Sequence, residues 1–583
     1  MFFSLKRGIF YWVILALLSS CSVTERDENG LLTSAQSAVI RHYIEAQNKR
    51  QLPVNIKGKF GTNLRGLNLL RVKLVKEDLS GVDLSFCEIS LVDFSGANFD
   101  KAIFTKSIIQ ESDFTDCSFQ KVLSFGSDFE ASMFGNATLK DSSFIQTNFE
   151  GTAFIKANIE KVNFENSRFI RAFFEDSIII NSNFQKNNLQ DSSFKKANIS
   201  NSIFYGADLR TIIAKDANIT DCYYESSDLT GADLSGAIVN NSDFTHSFIN
   251  NVQLHNVKFT NCLFSFSSMH TAHLDHTIIV GCNFTNTDFN NATLKQVKMQ
   301  NTILDNSHFN ESSIQGIVLQ NSSAKSLKFN RVNIGGSSIE NSNLTGIILN
   351  NSYVKQSRVI NSNFTNSELI NSSIYNTQLK QVDFTKALIK NTSFVGGKFI
   401  LSNLYQTAII DSRFQETTFD TSPTSHSQIN NVSYVKSNFN ASDFKRNLIL
   451  NSQGFASVKT ENVIYSIKAL EQEKDLTNMN FQGLVLTGLV FKEIIFSGSV
   501  FKKIDLSNSV MQNCILHDTD FTMAHLNNVA FSNSSLVSSN FESATIYNVN
   551  FNSADLTNVN FNQALISNIS LEKAKLEGVR GLK

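Results

Sequence analysis

The sequence predicts an all-β solenoid, and three observations carry that prediction. Every fifth residue from Leu64 to Ile449 belongs to one apolar ladder: of its 78 centres only Ser124 and Thr424 are polar, while Ala214 and Ala324 are merely small. Every twentieth residue from Phe144 to Phe284 is aromatic, through Phe164, Phe184, Phe204, Tyr224, Phe244 and Phe264. The 583 residues include 50 phenylalanines but only 2 prolines, a balance suited to a long repeat. A period of five fits neither the 3.6 of a helix nor the 2 of a strand. A chain that returns one large apolar and one small residue inward every five must turn a corner each time. Such repeats stack in one dimension and need no separate cores.

Residues 1–20 read as an export signal. Lys6 and Arg7 form a charged start, and Ile9 to Leu18 is an apolar run too short for a stable membrane span. It ends in Leu18-Ser19-Ser20-Cys21, which resembles a bacterial lipobox. The resemblance implies that Cys21 becomes the lipidated first residue of the mature chain, held on a membrane by acyl chains. An ordinary secretory signal with a chance cysteine is the alternative. In Gram-negative lipoproteins an Asp after that cysteine marks retention in the inner membrane. Ser22 and Val23 follow here, so the implied address is the outer membrane, on its periplasmic or its surface face.

Residues 21–61 are expected to hold a polar tether and a capping helix. Ser34 is the expected N-cap of a helix reaching about Arg50, with Val39, Ile40, Tyr43 and Ile44 on one face, and Pro53 ends it. The open first coil of a parallel solenoid needs a cover. A partner-binding helix is the other reading of this segment.

The first array occupies 62–449. Two residues before each centre the chain is nearly always Ala, Ser, Thr, Val or Cys. One residue before it, Asn or Asp is frequent, as in Ala97-Asn98-Phe99, Ala207-Asp208-Leu209 and Ala232-Asp233-Leu234. This resembles the A(D/N)LXX pattern of the pentapeptide-repeat family over nearly the whole mature chain. The resemblance implies a right-handed quadrilateral β-helix, four pentads to a square coil, so that residues twenty apart stack at about 4.8 Å. Ser124 breaks the column, and Phe125 is expected to swing in as its substitute. Pro423 beside Thr424 predicts a distorted side or a small outward loop.

After Ile449 the register fails at Gly454 and Lys459. Residues 450–475 are expected to form a linker with a short helix over Ser466–Glu473, serving as hinge, cap or binding loop. A second array of 21 centres then runs from Leu476 to Leu576 within 476–583.

Chemistry is sparse. Cys87, Cys117, Cys222, Cys262, Cys282 and Cys514 all lie two before a centre, where a buried, inert thiol replaces Ala or Ser. Cys262 and Cys282 stack on adjacent coils, slightly too far apart for a relaxed disulfide, and the pairing stays open. His255 is expected to stack under Asp275 beside His276, but no structural-zinc or catalytic ligand spacing accompanies them, so solvated side chains are expected and no metal site. No nucleophile elbow, P-loop or dinucleotide fingerprint occurs; catalytic residues and cofactors are both expected to be none. With 51 basic and 52 acidic side chains the net charge is -1, which favours neither a polyanion-binding patch nor an acidic mimic.

The functional expectation is a non-enzymatic outer-membrane lipoprotein acting as a rigid protein-binding scaffold. A peripheral subunit of a large envelope assembly, such as a secretion machine, would have this form. It would meet protein partners and the membrane through Cys21, with no nucleic acid and no small-molecule substrate. A surface adhesin or glycan-binding rod is the alternative. The DNA-mimic binding of topoisomerases that some members of the family show is disfavoured by the charge and the export signal.

Overall fold

Strands of three residues, each pointing its middle side chain inward, recur down the chain and pair in parallel at a register of twenty. Asn68–Leu70 pairs with Glu88–Ser90, which pairs with Ile108–Gln110, and Ile178–Ile180 pairs with Asn198–Ser200 in the same way. The computed structural model describes residues 26–454, 459–461 and 463–582. Cys21 and the expected signal segment lie outside them. Among the described residues no helix is long and apolar enough to cross a membrane. The chain divides into two compact units, 1–288 and 289–583.

In the first unit a helix over Ser34–Lys49 closes the start of the solenoid. Its N-cap is Thr33 rather than Ser34. The Thr33 hydroxyl accepts from the Gln36 amide while the Gln36 side chain accepts from the Thr33 amide, a reciprocal pairing that Ser34 could not make with Ser37. Ile40 and Ile44 are buried, and the Ser37 hydroxyl accepts from the Asn68 amide at 3.1 Å. The Leu32 amide donates to the Arg65 carbonyl at 2.7 Å. A second short helix, Ile56–Phe60, starts with its Ile56 amide on the Glu77 carboxylate, which burial pushes above the usual carboxylate range. Backbone groups of the first coil that lack a neighbouring coil thus find partners in the cap.

The centres fill the interior. Phe184, Phe204, Tyr224 and Phe244 stack with ring centroids 5.0, 4.8 and 4.7 Å apart and planes within 7°. Each ring contributes roughly 1.5–3 kcal/mol relative to exposure. Corners are made by a residue two after the centre, held at positive φ, such as Asn241 at 49° and Gly231 at 75°. That left-handed geometry explains the many Asn, Asp and Gly residues there.

Two expectations within the array are corrected. Phe125 does not swing inward; it is 45% exposed, and Ser124 turns its hydroxyl to Thr147 at 3.4 Å instead. Strand alternation forces residues on either side of an inward position outward. Pro423 makes no loop: Thr424–Ser425 pairs in register with Leu404–Tyr405. The proline only ends the flanking row of bridges, which runs through Asp383 to Asn403, because it has no N–H to donate.

The second unit carries the remaining coils, the break and the second array. In coils between Ile317 and Phe384, Ile, Leu and Val replace most rings, and a cavity of about 80 Å³ opens among Phe329, Ile334, Val354, Val359, Phe364 and Ile374. At the break Ile464 bridges to Leu448, a step of sixteen residues instead of twenty. A 3-10 helix, Lys468–Gln472, occupies the expected short helix. Stacking by twenty then resumes, with Asp475 beside Ile495 and Asn480 beside Val500.

Candidate functional site

Among the described residues no single cleft gathers the sequence-derived candidates. The small residue two before each centre is more than a filler. At corners that follow a strand, its amide donates to a hydroxyl on the next coil: Val162 to Ser182 Oγ at 3.2 Å, Ser182 to Ser202 Oγ at 3.1 Å, Cys222 to Ser242 Oγ at 3.1 Å. The Ser202 hydroxyl itself donates to the Ser200 carbonyl at 2.8 Å. A buried amide with no backbone partner is costly, and these hydroxyls remove the cost. The recurrence of Ser, Thr and Cys every twentieth residue from Ser182 to Ser362 was the available signal for this role.

The cysteines belong to the same corners. All six in the described chain are buried and free. The Cys262 amide donates to Cys282 Sγ at 3.3 Å, so the thiol occupies the hydroxyl's place in the ladder and no disulfide forms. Burial pushes the thiols of Cys87, Cys117 and Cys222 up to about 12, which leaves them without nucleophilic thiolate.

Thr424, the other polar centre, also has a partner. Asn447, two before the centre Ile449, donates from Nδ2 to Thr424 Oγ1 at 2.8 Å and accepts at Oδ1 from the Ser427 amide at 2.9 Å. Both residues are fully buried. The outward Asp or Asn before a centre turns its side chain onto the chain two residues on, as Asp233 does with the Ser235 amide at 3.0 Å and Asp243 with Thr245 at 2.8 Å. These carboxylates brace corners.

His255, Asp275 and His276 come together as the register requires. His255 and Asp275 are paired residues of neighbouring strands. His255 Nδ1 lies 3.1 Å from Asp275 Oδ2, and His276 Nδ1 lies 2.6 Å from Asp275 Oδ1.

Within the second unit, the second array folds back onto the flank of the coils that precede it. The Gln406 side chain donates from Nε2 to the carbonyls of Asn478 and Gly498, the latter at 2.9 Å, and the Asn480 backbone N–H donates to the His426 carbonyl at 3.0 Å. The last of these bonds runs from backbone to backbone. Arg446 pairs with Asp475 at 2.9 Å, and Lys502 and Lys503 both reach Glu368, at 3.3 and 3.5 Å. Leu448, Leu450, Leu470, Leu476 and Met479 join one apolar cluster with the second array's core. The described linker residues 463–475 lead into this packed arrangement, with Leu470 inside the shared apolar cluster.

Two family descriptions match the sequence. "Pentapeptide repeat region" matches residues 112–194, 252–339 and 512–580, and "Pentapeptide repeats (8 copies)" matches 78–116, 177–213, 227–265, 347–385 and 491–528. No curated protein matches the chain. Among solved structures, HetL from the cyanobacterium Nostoc sp. strain PCC 7120, a protein involved in heterocyst differentiation regulation, is 17% identical. That similarity covers 42% of this chain and 90% of HetL at a TM-score of 0.19. QnrB1, a plasmid-mediated fluoroquinolone resistance protein, is 18% identical over 44% of this chain and 93% of its own, at a TM-score of 0.14.

Proposed function

This chain belongs to the pentapeptide-repeat family, and on that premise we propose that it is a non-enzymatic, protein-binding scaffold anchored to the outer membrane through lipid on Cys21. The observation that carries the reading is the twenty-residue register, kept from coil to coil by paired strands and corner hydroxyls. It gives outward side chains fixed spacings on a stiff frame, which suits recognition of a protein surface without rearrangement. The address rests on Leu18-Ser19-Ser20-Cys21 in the sequence. A peripheral subunit of a large envelope assembly, such as a secretion machine, is the role that joins frame and address.

Labelled palmitate incorporation and membrane fractionation of the native chain and Cys21→Ala test the anchor. Label in the outer-membrane fraction, lost in the variant, is expected; unlabelled native protein in the soluble fraction overturns it. Affinity recovery from solubilised outer membranes tests the scaffold. Recovery alone, at monomer size, counts against it.

A further inference from the structure

We propose that His255, Asp275 and His276 form a surface site for a divalent transition-metal ion of the zinc class. This revises the expectation from spacing alone, which found no ligand pattern in the chain. A linear motif misses the site because its donors come from two coils. His255 ends the strand Gln253–His255, Asp275 ends His273–Asp275, and parallel pairing at twenty residues sets one directly against the other. His276 follows at a left-handed corner with φ of 54°, which returns its side chain to the same carboxylate.

The result is two imidazoles converging on one carboxylate. Each carboxylate oxygen faces one ring nitrogen, at 3.1 Å and 2.6 Å, and the ring centroids lie 6.1 Å apart at 79°. One donor atom from each of the three residues lies within 4.8 Å of the others. A tetrahedral ion bound at about 2.0–2.1 Å holds its donors roughly 3.3 Å apart, so rotation of exposed side chains is enough to close the set. Two imidazoles and a carboxylate suit Zn²⁺ and its neighbours and do not suit Mg²⁺ or Ca²⁺, which take oxygen ligands. Side-chain exposures of 52%, 34% and 46% leave the remaining coordination positions to water or to a group from a partner.

The ion would replace the His255–Asp275 hydrogen bond and the close His276–Asp275 contact with three coordinate bonds across neighbouring coils. For a neutral imidazole this needs only that the N–H proton sit on the nitrogen turned away from the ion. Bound there, it clips one coil edge to the next and leaves an electrophilic point on an otherwise polar face.

The test is titration of the full chain with ZnCl₂ by calorimetry and with CoCl₂ by visible absorption, where ligand-field bands report bound cobalt. One saturating equivalent is expected, with zinc displacing cobalt. His255→Ala and His276→Ala should each lose saturable binding, while His273→Ala, a neighbouring histidine outside the set, should keep it. All three positions face outward, and unchanged circular dichroism will show that the variants fold. As a second readout, zinc should slow amide exchange across 253–276 in the native chain and not in His255→Ala/His276→Ala. Absence of saturable binding, or binding unaltered by that double substitution, overturns the proposal.

Discussion

The cavity among Phe329, Ile334, Val354, Val359, Phe364 and Ile374 yields a prediction whose sign depends on place. Its volume of about 80 Å³, at about 24 cal/mol per Å³, corresponds to a local deficit near 2 kcal/mol. Val354→Ile and Val359→Ile each add one methylene facing that space and keep the β-branched shape that strands favour. At about 0.8 kcal/mol per buried methylene the pair should regain about 1.6 kcal/mol. The same change at Val239, which is fully buried beside Phe259 on the next coil, meets no void and should cost about 1–3 kcal/mol through overpacking. A long repeat does not unfold as one cooperative unit, so amide exchange read coil by coil is the right assay. Exchange in coils 334–384 should slow about fifteen-fold in the double variant, and exchange around Val239 should accelerate in Val239→Ile. Equal effects at both places, or a loss at 354 and 359, would refute the assignment of a void to those coils.

The six buried thiols of the described chain set the second test: native protein at pH 8 should leave Cys87, Cys117, Cys222, Cys262, Cys282 and Cys514 unlabelled by a thiol reagent, and all six should react after denaturation. Because Cys87, Cys117 and Cys222 are raised from 9.0 to about 12, the unfolded chain releases their protons first, so their contribution is complete below about pH 9 and is lost as pH rises toward 12. Asn447→Ala should cost about 1–3 kcal/mol by stranding the Thr424 hydroxyl and the Ser427 amide, and Thr424→Val in that background should cost much less than in the native chain; additive costs in a double-mutant cycle would deny the pairing. Inserting one residue after Asn241 should lower the melting temperature far more than inserting twenty, which restores every column, and equal tolerance would be incompatible with stacking by twenty.

The parts legible in the sequence are those set by steric pattern. A large side chain at every fifth position needs an interior, and Phe204 lies in the column where counting by twenty puts it. Polar roles were harder to read. Ser182 and Ser202 look like small fillers until the corner amide of the preceding coil is seen to need an acceptor. Thr424 looks like a flaw because its partner Asn447 is 23 residues away and occupies a corner, not a centre. The cap at Thr33 instead of Ser34 is a one-residue shift decided by which neighbour offers a Gln three residues on. The histidine cluster was legible as stacking, because register alone brings 255 beside 275, but its convergence on one carboxylate depends on the left-handed corner at His276.

The fold-back in the second unit was missed for a reason that generalises along this scaffold. Inward positions are apolar everywhere and so carry no news about what lies outside. Outward positions are informative, and Leu388, Ala408, Ile410, Leu448 and Leu450 are outward yet buried. They flank the centres Ile389, Ile409 and Ile449 on one face of the coils, where earlier coils carry residues such as Lys328 or Asn350. Burial at such positions has to come from something lying on the flank: Leu448 and Leu450 share an apolar cluster with the second array, and beside Leu388, Ala408 and Ile410 the second array is tied down through Gln406 to Gly498, His426 to Asn480 and Glu368 to Lys502. Ala408→Arg therefore leaves the interior of its own coil untouched but forces a cation against the docked array, an uncompensated burial worth about 3 kcal/mol or more. The expected result is release: faster exchange at Asn480 and Gln482, new protease cleavage within 463–475, and unchanged exchange at the buried centres Phe394 and Phe414. Cleavage and exchange like those of the native chain would mean that the flank, not the docked array, supplies the burial at Ala408.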